Sequence, residues 1–529
     1  MKRRTLFAAT ISFVASVAFL LPFQASAKDA SVLRVVPPVE IAVFDPFWTS
    51  AAITRDYGYM VYDTLFSVDG NGVIQPQMVE RYTTSEDGLT WSFVLRDGLA
   101  FHDGKPVTSD DVVASLKRWS QRDTLGGAMA EQIARYDITS DKSFSIVFSR
   151  PFGLVLQALG KNAANVPFIL PADVAATPAS EKISSHVGSG PFIFVAEEYE
   201  PGRRVVFKKN PNYIPRDEPP SGLAGGHVVN FERVEWVSIR DTQTQSSALT
   251  ADEVDVLWGP SFSLFRSLQS APGIELQMTS KAGGQFAMHF NFLHPPLDNE
   301  AVRRAAILAL GQQAILNTQI GVPEISRTCA SMYPCGTPYA KENTTYFSGK
   351  AEPAKARALL AEAGYDGTPI VILDPAGHPT FGKIGQIAKQ QLQAAGFNVE
   401  LERLDWAALL TRRANKALPS EGGWSAFITA WGGDSISDPI SMLFLDARGA
   451  DGWVGWHDDA RFLELRRKYT SALDDASRAD IAEQIQQLAF ETGTYAPLGE
   501  FQRPLAKRTD IGDFLVAGGS LVFWGVSRN

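Results

Sequence analysis

The chain is poor in the residues that most often carry metal and redox chemistry: two cysteines and seven histidines in 529 positions. Cys329 and Cys335 are too few for a structural zinc site, and no histidine lies close to them in sequence. In an oxidising compartment their expected state is a disulfide. His289 and His294 stand five apart with proline just beyond, a spacing that does not put both on one helical face, so no metal site is expected there. Absent too are G-x-S-x-G, H-E-x-x-H, a Walker loop and a G-x-G-x-x-G after a strand. No nucleophile–base pair is visible, so neither a catalytic residue nor a cofactor is assigned.

Basic charge is also in short supply. The chain opens with Lys2, Arg3 and Arg4, then an apolar run over 6–21, then Ala25-Ser26-Ala27, the three parts of an export signal. Residues 1–27 are read as a cleaved signal peptide, with the exported mature chain starting at Lys28. No cysteine stands next to that signal, so no lipid anchor is expected. Without the three N-terminal cations, 46 basic face 58 acidic residues, a formal net charge of −12 in place of −9. That sign disfavours nucleic acid and anionic membranes as partners. No later apolar run approaches a membrane span, and there is no low-complexity segment or short-period repeat. About 500 mature residues, with 45% hydrophobic composition across the chain, are too many for one simple core and call for two or three lobes.

What is present is a well-punctuated α/β pattern. Residues 85–119 are the most informative stretch. Trp91, Phe93 and Leu95 alternate with Ser92, Val94 and Arg96 at the period of a half-buried strand. Asp87-Gly88, Asp97-Gly98 and Asp103-Gly104 mark turns, because glycine reaches positive φ without steric cost. Thr108 and Asp111 have the spacing of a capping box, and Val112, Val113, Leu116 and Trp119 share one face of the helix behind it. His102 beside its Asp-Gly turn is read as a packing residue.

Further along, Gly188-Ser189-Gly190 makes a turn into strands, and Asp298 is expected to cap a helix over 300–310. The clearest βαβ unit covers 370–404 and implies a parallel sheet. A buried strand over 426–431 runs into Trp431-Gly432-Gly433-Asp434, and ligands in such sheets bind beyond strand carboxyl ends. Trp48, Tyr57, Trp258, Trp424, Trp431, Trp453 and Trp456 lie in or near Gly/Asp-rich loops, where aromatic faces wall clefts or simply pack in cores. Asp434 has two readings from its residues alone: the partner of a ligand ammonium, or an Asx-turn cap for 435–437.

Residues 85–119 resemble the signature region of the peptide/nickel class of ABC-transporter solute-binding proteins. The similarity continues through 188–192, 210–213, 295–304 and 431–434, in family order. This resemblance implies an α/β, two-lobed periplasmic-binding-protein fold with an additional domain inserted in the first lobe and a hinged cleft between the lobes. It implies lobe I over 28–62, 184–286 and 500–529, the inserted domain over 63–183, and lobe II over 287–499, with the hinge near Phe286 and Gly499. It also implies that Asp434, in the family's W-x-x-D segment, holds a ligand ammonium, with Trp431 as an aromatic wall. Trp48, Trp258, Tyr57 and Trp424 complete the expected ligand-binding set. The arginine that would take a ligand carboxylate is not placed by motif.

The expectation is therefore a monomeric receptor of an ABC importer that captures a peptide or related amine-bearing solute and delivers it to an inner-membrane permease. A receptor for an opine, an oligosaccharide or a metal chelate is the alternative within binding, and a secreted hydrolase the alternative of another class.

Overall fold

In the computed structural model, residues 29–529 are described apart from 279, 343, 344, 379 and 516. The expected signal peptide lies outside these residues. Among the described residues, no helix is long and apolar enough to cross a membrane.

Two large sheets organise the chain. The first has seven strands in the order Ile274–Gln277, Leu505–Arg508, Val256–Leu257, Val32–Val36, Arg233–Val237, Arg204–Lys209 and Phe192–Phe194. Its centre is parallel: Val32–Val36 pairs in parallel with both Arg233–Val237 and Val256–Leu257. The second has six strands in the order Ser326–Arg327, Tyr495–Phe501, Gly284–Phe290, Ala426–Gly432, Ile370–Pro375 and Val399–Leu404. Here the βαβ unit is found as expected, Ile370–Pro375 running parallel to Val399–Leu404 through the helix Ile384–Ala394. The chain passes between the sheets twice, over 278–283 and over 502–504.

A separate four-stranded antiparallel sheet, Val79–Thr84, Thr90–Leu95, Ser143–Phe148 and Ile133–Ser140, carries the segment that dominates the sequence. Phe93 and Leu95 are buried as their alternation requires. The helix Ser109–Ser120 begins with the capping box, Thr108 N–H donating to Asp111 Oδ2 at 2.8 Å. Trp119 is fully buried and its indole N–H donates to the Asn165 carbonyl. His102 is a turn residue: its Nδ1 accepts from Gly188 N–H at 3.2 Å, which leaves Nε2–H to donate to the Gly190 carbonyl at 3.2 Å. Glycine is required at 188, where a β-carbon would sit 1.9 Å from the Val61 carbonyl oxygen. One cap is corrected: Asn299, not Asp298, starts the helix Glu300–Ala309, its side chain accepting from Ala301 N–H at 2.9 Å. Asp298 is instead held in the preceding turn by its own N–H, which donates to the His294 carbonyl.

Cys329 and Cys335 form a disulfide, so neither thiolate is free for a metal. The loop it closes is tied to the second sheet by Cys335 N–H, which donates to Glu500 Oε1 at 2.9 Å. Closing so short a loop removes about 2 kcal/mol of unfolded-state entropy. Replacing both cysteines by serine is expected to lower the unfolding free energy by about that amount, read from urea melts.

Candidate functional site

In the second sheet Ala426–Gly432 runs parallel to Ile370–Pro375, so the loops after both strands leave from the same edge. The first of these loops carries Asp434 in a tight turn, Gly433–Ile436. It is pinned to the first sheet-to-sheet crossing: Gly433 N–H donates to the Gly283 carbonyl at 2.8 Å, and a β-carbon on Gly433 would sit 2.6 Å from the Ala282 carbonyl oxygen. No larger residue fits there, which explains the glycine directly before the aspartate.

The Asp434 carboxylate accepts a hydrogen bond from Ser280 Oγ at 3.3 Å. Opposite it runs the C-terminal segment through Gly518 and Gly519, so close that a β-carbon on Gly519 would lie 3.3 Å from Asp434 Oδ2. Behind that segment, Arg55 of the helix Ala52–Val61 donates to the Gly519 carbonyl at 2.9 Å and to Asp56 at 3.2 Å. Burial pushes the Asp434 carboxyl above the ordinary carboxylate range, with the Arg55 charge and the Ser280 hydroxyl pulling the other way. The cap reading finds no support in these contacts, since Ser437 Oγ binds the Asp434 backbone carbonyl and not its carboxylate.

Asp434 opens into a cavity of about 480 Å³, within the size range of small-molecule sites. Its lining comes from distant parts of the chain, including Asn162, Lys281, Tyr339, Tyr469 and Gly518. Two other carboxylates line it, but both are committed to turns. Asp438 accepts from Ile440 N–H at 2.8 Å and Ser441 N–H at 2.9 Å, and Asp69 from Asn71 N–H at 2.8 Å and Val73 N–H at 3.0 Å. Of the two lysines, Lys161 is paired with buried Asp123, while Lys281 donates to the Gly70 carbonyl at 2.9 Å. Asp434 is thus the cavity carboxylate with the most acceptor capacity left for a cation.

Of the six residues expected to bind ligand, Asp434 alone lines this cavity. Tyr57 and Trp424 are fully buried. Tyr57 packs on Phe44 and Trp424 on Phe427 and Trp456, where large apolar rings are worth most to the core. Trp431 points its indole N–H at His289 Nε2, 2.8 Å away, and packs beside Phe444 and Trp453. Trp48 is half-buried under the Arg122 guanidinium at 4.8 Å. Trp258 faces a different cavity. The aromatic residues that do line the Asp434 cavity are tyrosines, Tyr469 donating its hydroxyl hydrogen to Tyr339 at 3.1 Å. Sequence reading missed both, although Tyr339 follows closely on the disulfide loop.

A model of the family described as bacterial extracellular solute-binding proteins, family 5 (middle part), matches residues 73–452. The chain is 33% identical over 503 residues to a protein of Sinorhizobium fredii named as a probable peptide ABC transporter periplasmic-binding protein, y4tO, covering 94% of each. Among solved structures it resembles the periplasmic binding protein AgaA in complex with agropinic acid from A. tumefaciens R10, with a TM-score of 0.78 and 23% identity over 94% of this chain and 99% of that one. A dipeptide-binding protein from Pseudoalteromonas sp. SM9913 in complex with Met-Leu gives a TM-score of 0.78 at 19% identity, over 94% and 100% of the two chains. Those two likenesses establish a two-lobed binding-protein fold. With the family model spanning most of the chain and a relative 33% identical over 94% of it, this protein belongs to the bacterial extracellular solute-binding proteins, family 5, the substrate-binding receptors of ABC importers.

Proposed function

We propose that this receptor works in the periplasm, exported by the cleaved signal at 1–27, and captures a peptide or related amine-bearing solute through Asp434. The observation that carries this reading is the carboxylate itself: half-buried, raised in pKa by desolvation, and held by one hydroxyl at the mouth of a cavity whose other carboxylates are occupied. Such a group gains most from a ligand cation, because a charge-assisted hydrogen bond in a partly dry site is worth about 1.5–3 kcal/mol.

The lobes of this reading are 28–62, 184–286 and 500–529 for the first, 287–499 for the second, with 63–183 inserted. It is supported by the two large sheets drawing their strands from those stretches, save for a few residues at the crossings. The crossings over 278–283 and 502–504 would serve as the hinge. As a receptor the protein would release its solute chemically unchanged.

Native mass spectrometry of the protein purified from its own periplasm tests this. An intact, amine-bearing solute is expected; a resident neutral sugar, or a solute recovered only as cleaved fragments, would contradict it.

The pH dependence follows from the raised carboxyl. In the free protein, ionising Asp434 costs folding stability as pH rises through its raised pKa, because the buried charge is disfavoured. A bound ammonium reverses that preference. Affinity is therefore full above the raised pKa and falls as pH drops through it, beginning at a higher pH than for an ordinary aspartate near about 3.9. Calorimetric titrations from neutral to acid pH should show this slope in the wild type and its loss in Asp434→Ala.

A further inference from the structure

The cavity at Asp434 lies between two parts of the chain that share no sheet among the described residues. One side comes from 68–74 and 154–163, the other from 336–339, 434–441 and Tyr469. Among the described residues, hydrogen bonds join these two parts at two places. At the first, Gly153 N–H donates to the Thr470 carbonyl at 3.1 Å, and the Gly153 carbonyl accepts from the Arg478 guanidinium at 3.4 Å. The same guanidinium nitrogen donates to the Ala472 carbonyl at 2.8 Å, just past the helix Ala460–Ser471, so Arg478 straddles the seam. At the second, the Thr124 hydroxyl donates to the Ile440 carbonyl at 3.4 Å.

Each contact stands next in sequence to a wall of the cavity. Gly153 precedes Leu154, Thr470 follows Tyr469, Thr124 precedes Leu125 and Ile440 precedes Ser441, and all four neighbours line it. Parting the contacts therefore parts the walls. The fit at Gly153 is close: a β-carbon there would sit 2.2 Å from the Ala472 carbonyl oxygen, a backbone atom that cannot swing aside. The φ of Gly153 lies outside the left-handed region, so its own turn would accept alanine and only the neighbour across the seam forbids it. Arg478 is 7% exposed, held by its carbonyl partners and by Asp475 at 2.6 Å. Hydrogen bonds across such a seam are individually modest, so they can open and reclose while each side stays folded.

We propose that Gly153, Arg478 and Thr124 form a clasp between the stretch 63–183 and the second lobe, so that the inserted domain is itself a jaw of the receptor and the clasp holds the solute cavity shut. The proposal rests on the receptor reading but not on Asp434. It is tested by spin-label distance measurements on the full mature chain after dialysis, with labels on Thr139→Cys and Asp480→Cys, both exposed, and the Cys329–Cys335 disulfide left intact. One short distance is expected to dominate in the wild type. Gly153→Ala and Arg478→Met should each raise the ratio of long to short distances about fivefold or more, the equivalent of one lost hydrogen bond, and Thr124→Val should raise it less. Urea unfolding of the same variants separates the clasp from a purely structural role. Unchanged distances in both Gly153→Ala and Arg478→Met would overturn the proposal, whether or not their unfolding free energy falls, and so would a long distance already dominant in the wild type. No solute is added, so a failure of the ammonium role at Asp434 would leave these outcomes as they stand.

Discussion

Arg118→Met should lower the unfolding free energy by about 3–5 kcal/mol, the cost of breaking a buried ion pair from one side. Arg118 is 3% exposed and its guanidinium donates to Asp45 Oδ2 at 3.1 Å, to the Glu181 carbonyl at 2.8 Å and to the Pro178 carbonyl at 3.0 Å. Asp45, 1% exposed, also takes the N–H groups of Phe47 at 2.9 Å and Ile183 at 3.0 Å. One side chain thus joins the N-terminal loop, the helix Ser109–Ser120 and the return segment around 177–183. Methionine keeps much of the aliphatic volume, so the loss isolates the charge left on Asp45 and the carbonyls left without donors. Urea unfolding measures it, and a change below about 1 kcal/mol would show that the junction does not depend on this pair. The double variant Asp45→Asn/Arg118→Met should recover part of the loss, because the uncompensated carboxylate is gone.

Asp434→Ala should weaken an amine-bearing solute by about tenfold to a hundredfold, the equivalent of one charge-assisted hydrogen bond at about 1.4 kcal/mol per decade. The effect should be confined to affinity. Among the described residues, the Asp434 carboxylate accepts one side-chain hydrogen bond, the 3.3 Å bond from Ser280, and its ionised form is disfavoured by burial. Removing it should leave the unfolding midpoint nearly unchanged, or raise it slightly at neutral pH, while binding falls. A structural role would move both together. A sugar-like solute would leave affinity intact, which separates the alternative receptor readings.

Local periodicity carried most of the architecture. The alternation of Trp91, Phe93 and Leu95, the Thr108–Asp111 box and the 370–404 unit each depend on neighbours in sequence, and all are found in the structure. The cap at Asp298 missed by one residue, because aspartate and asparagine are equally good caps and only the turn geometry separates them. The cavities were harder to read. Whether a tryptophan walls a cleft or fills a core depends on which distant residues surround it, and Trp424 and Trp431 are both claimed by packing within the second sheet's own layer. Asp434 was legible because its Gly-Gly loop ends a strand. Arg55, Gly518 and Gly519 were not, since they reach it from near the opposite ends of the chain.

The central claim is that Asp434 captures the solute's ammonium. Its most direct test is calorimetric titration of the solute identified by native mass spectrometry into wild type and Asp434→Asn at neutral pH. The account predicts a loss of about tenfold to a hundredfold with no change in the unfolding free energy beyond about 1 kcal/mol. Equal affinities in the two proteins would contradict it.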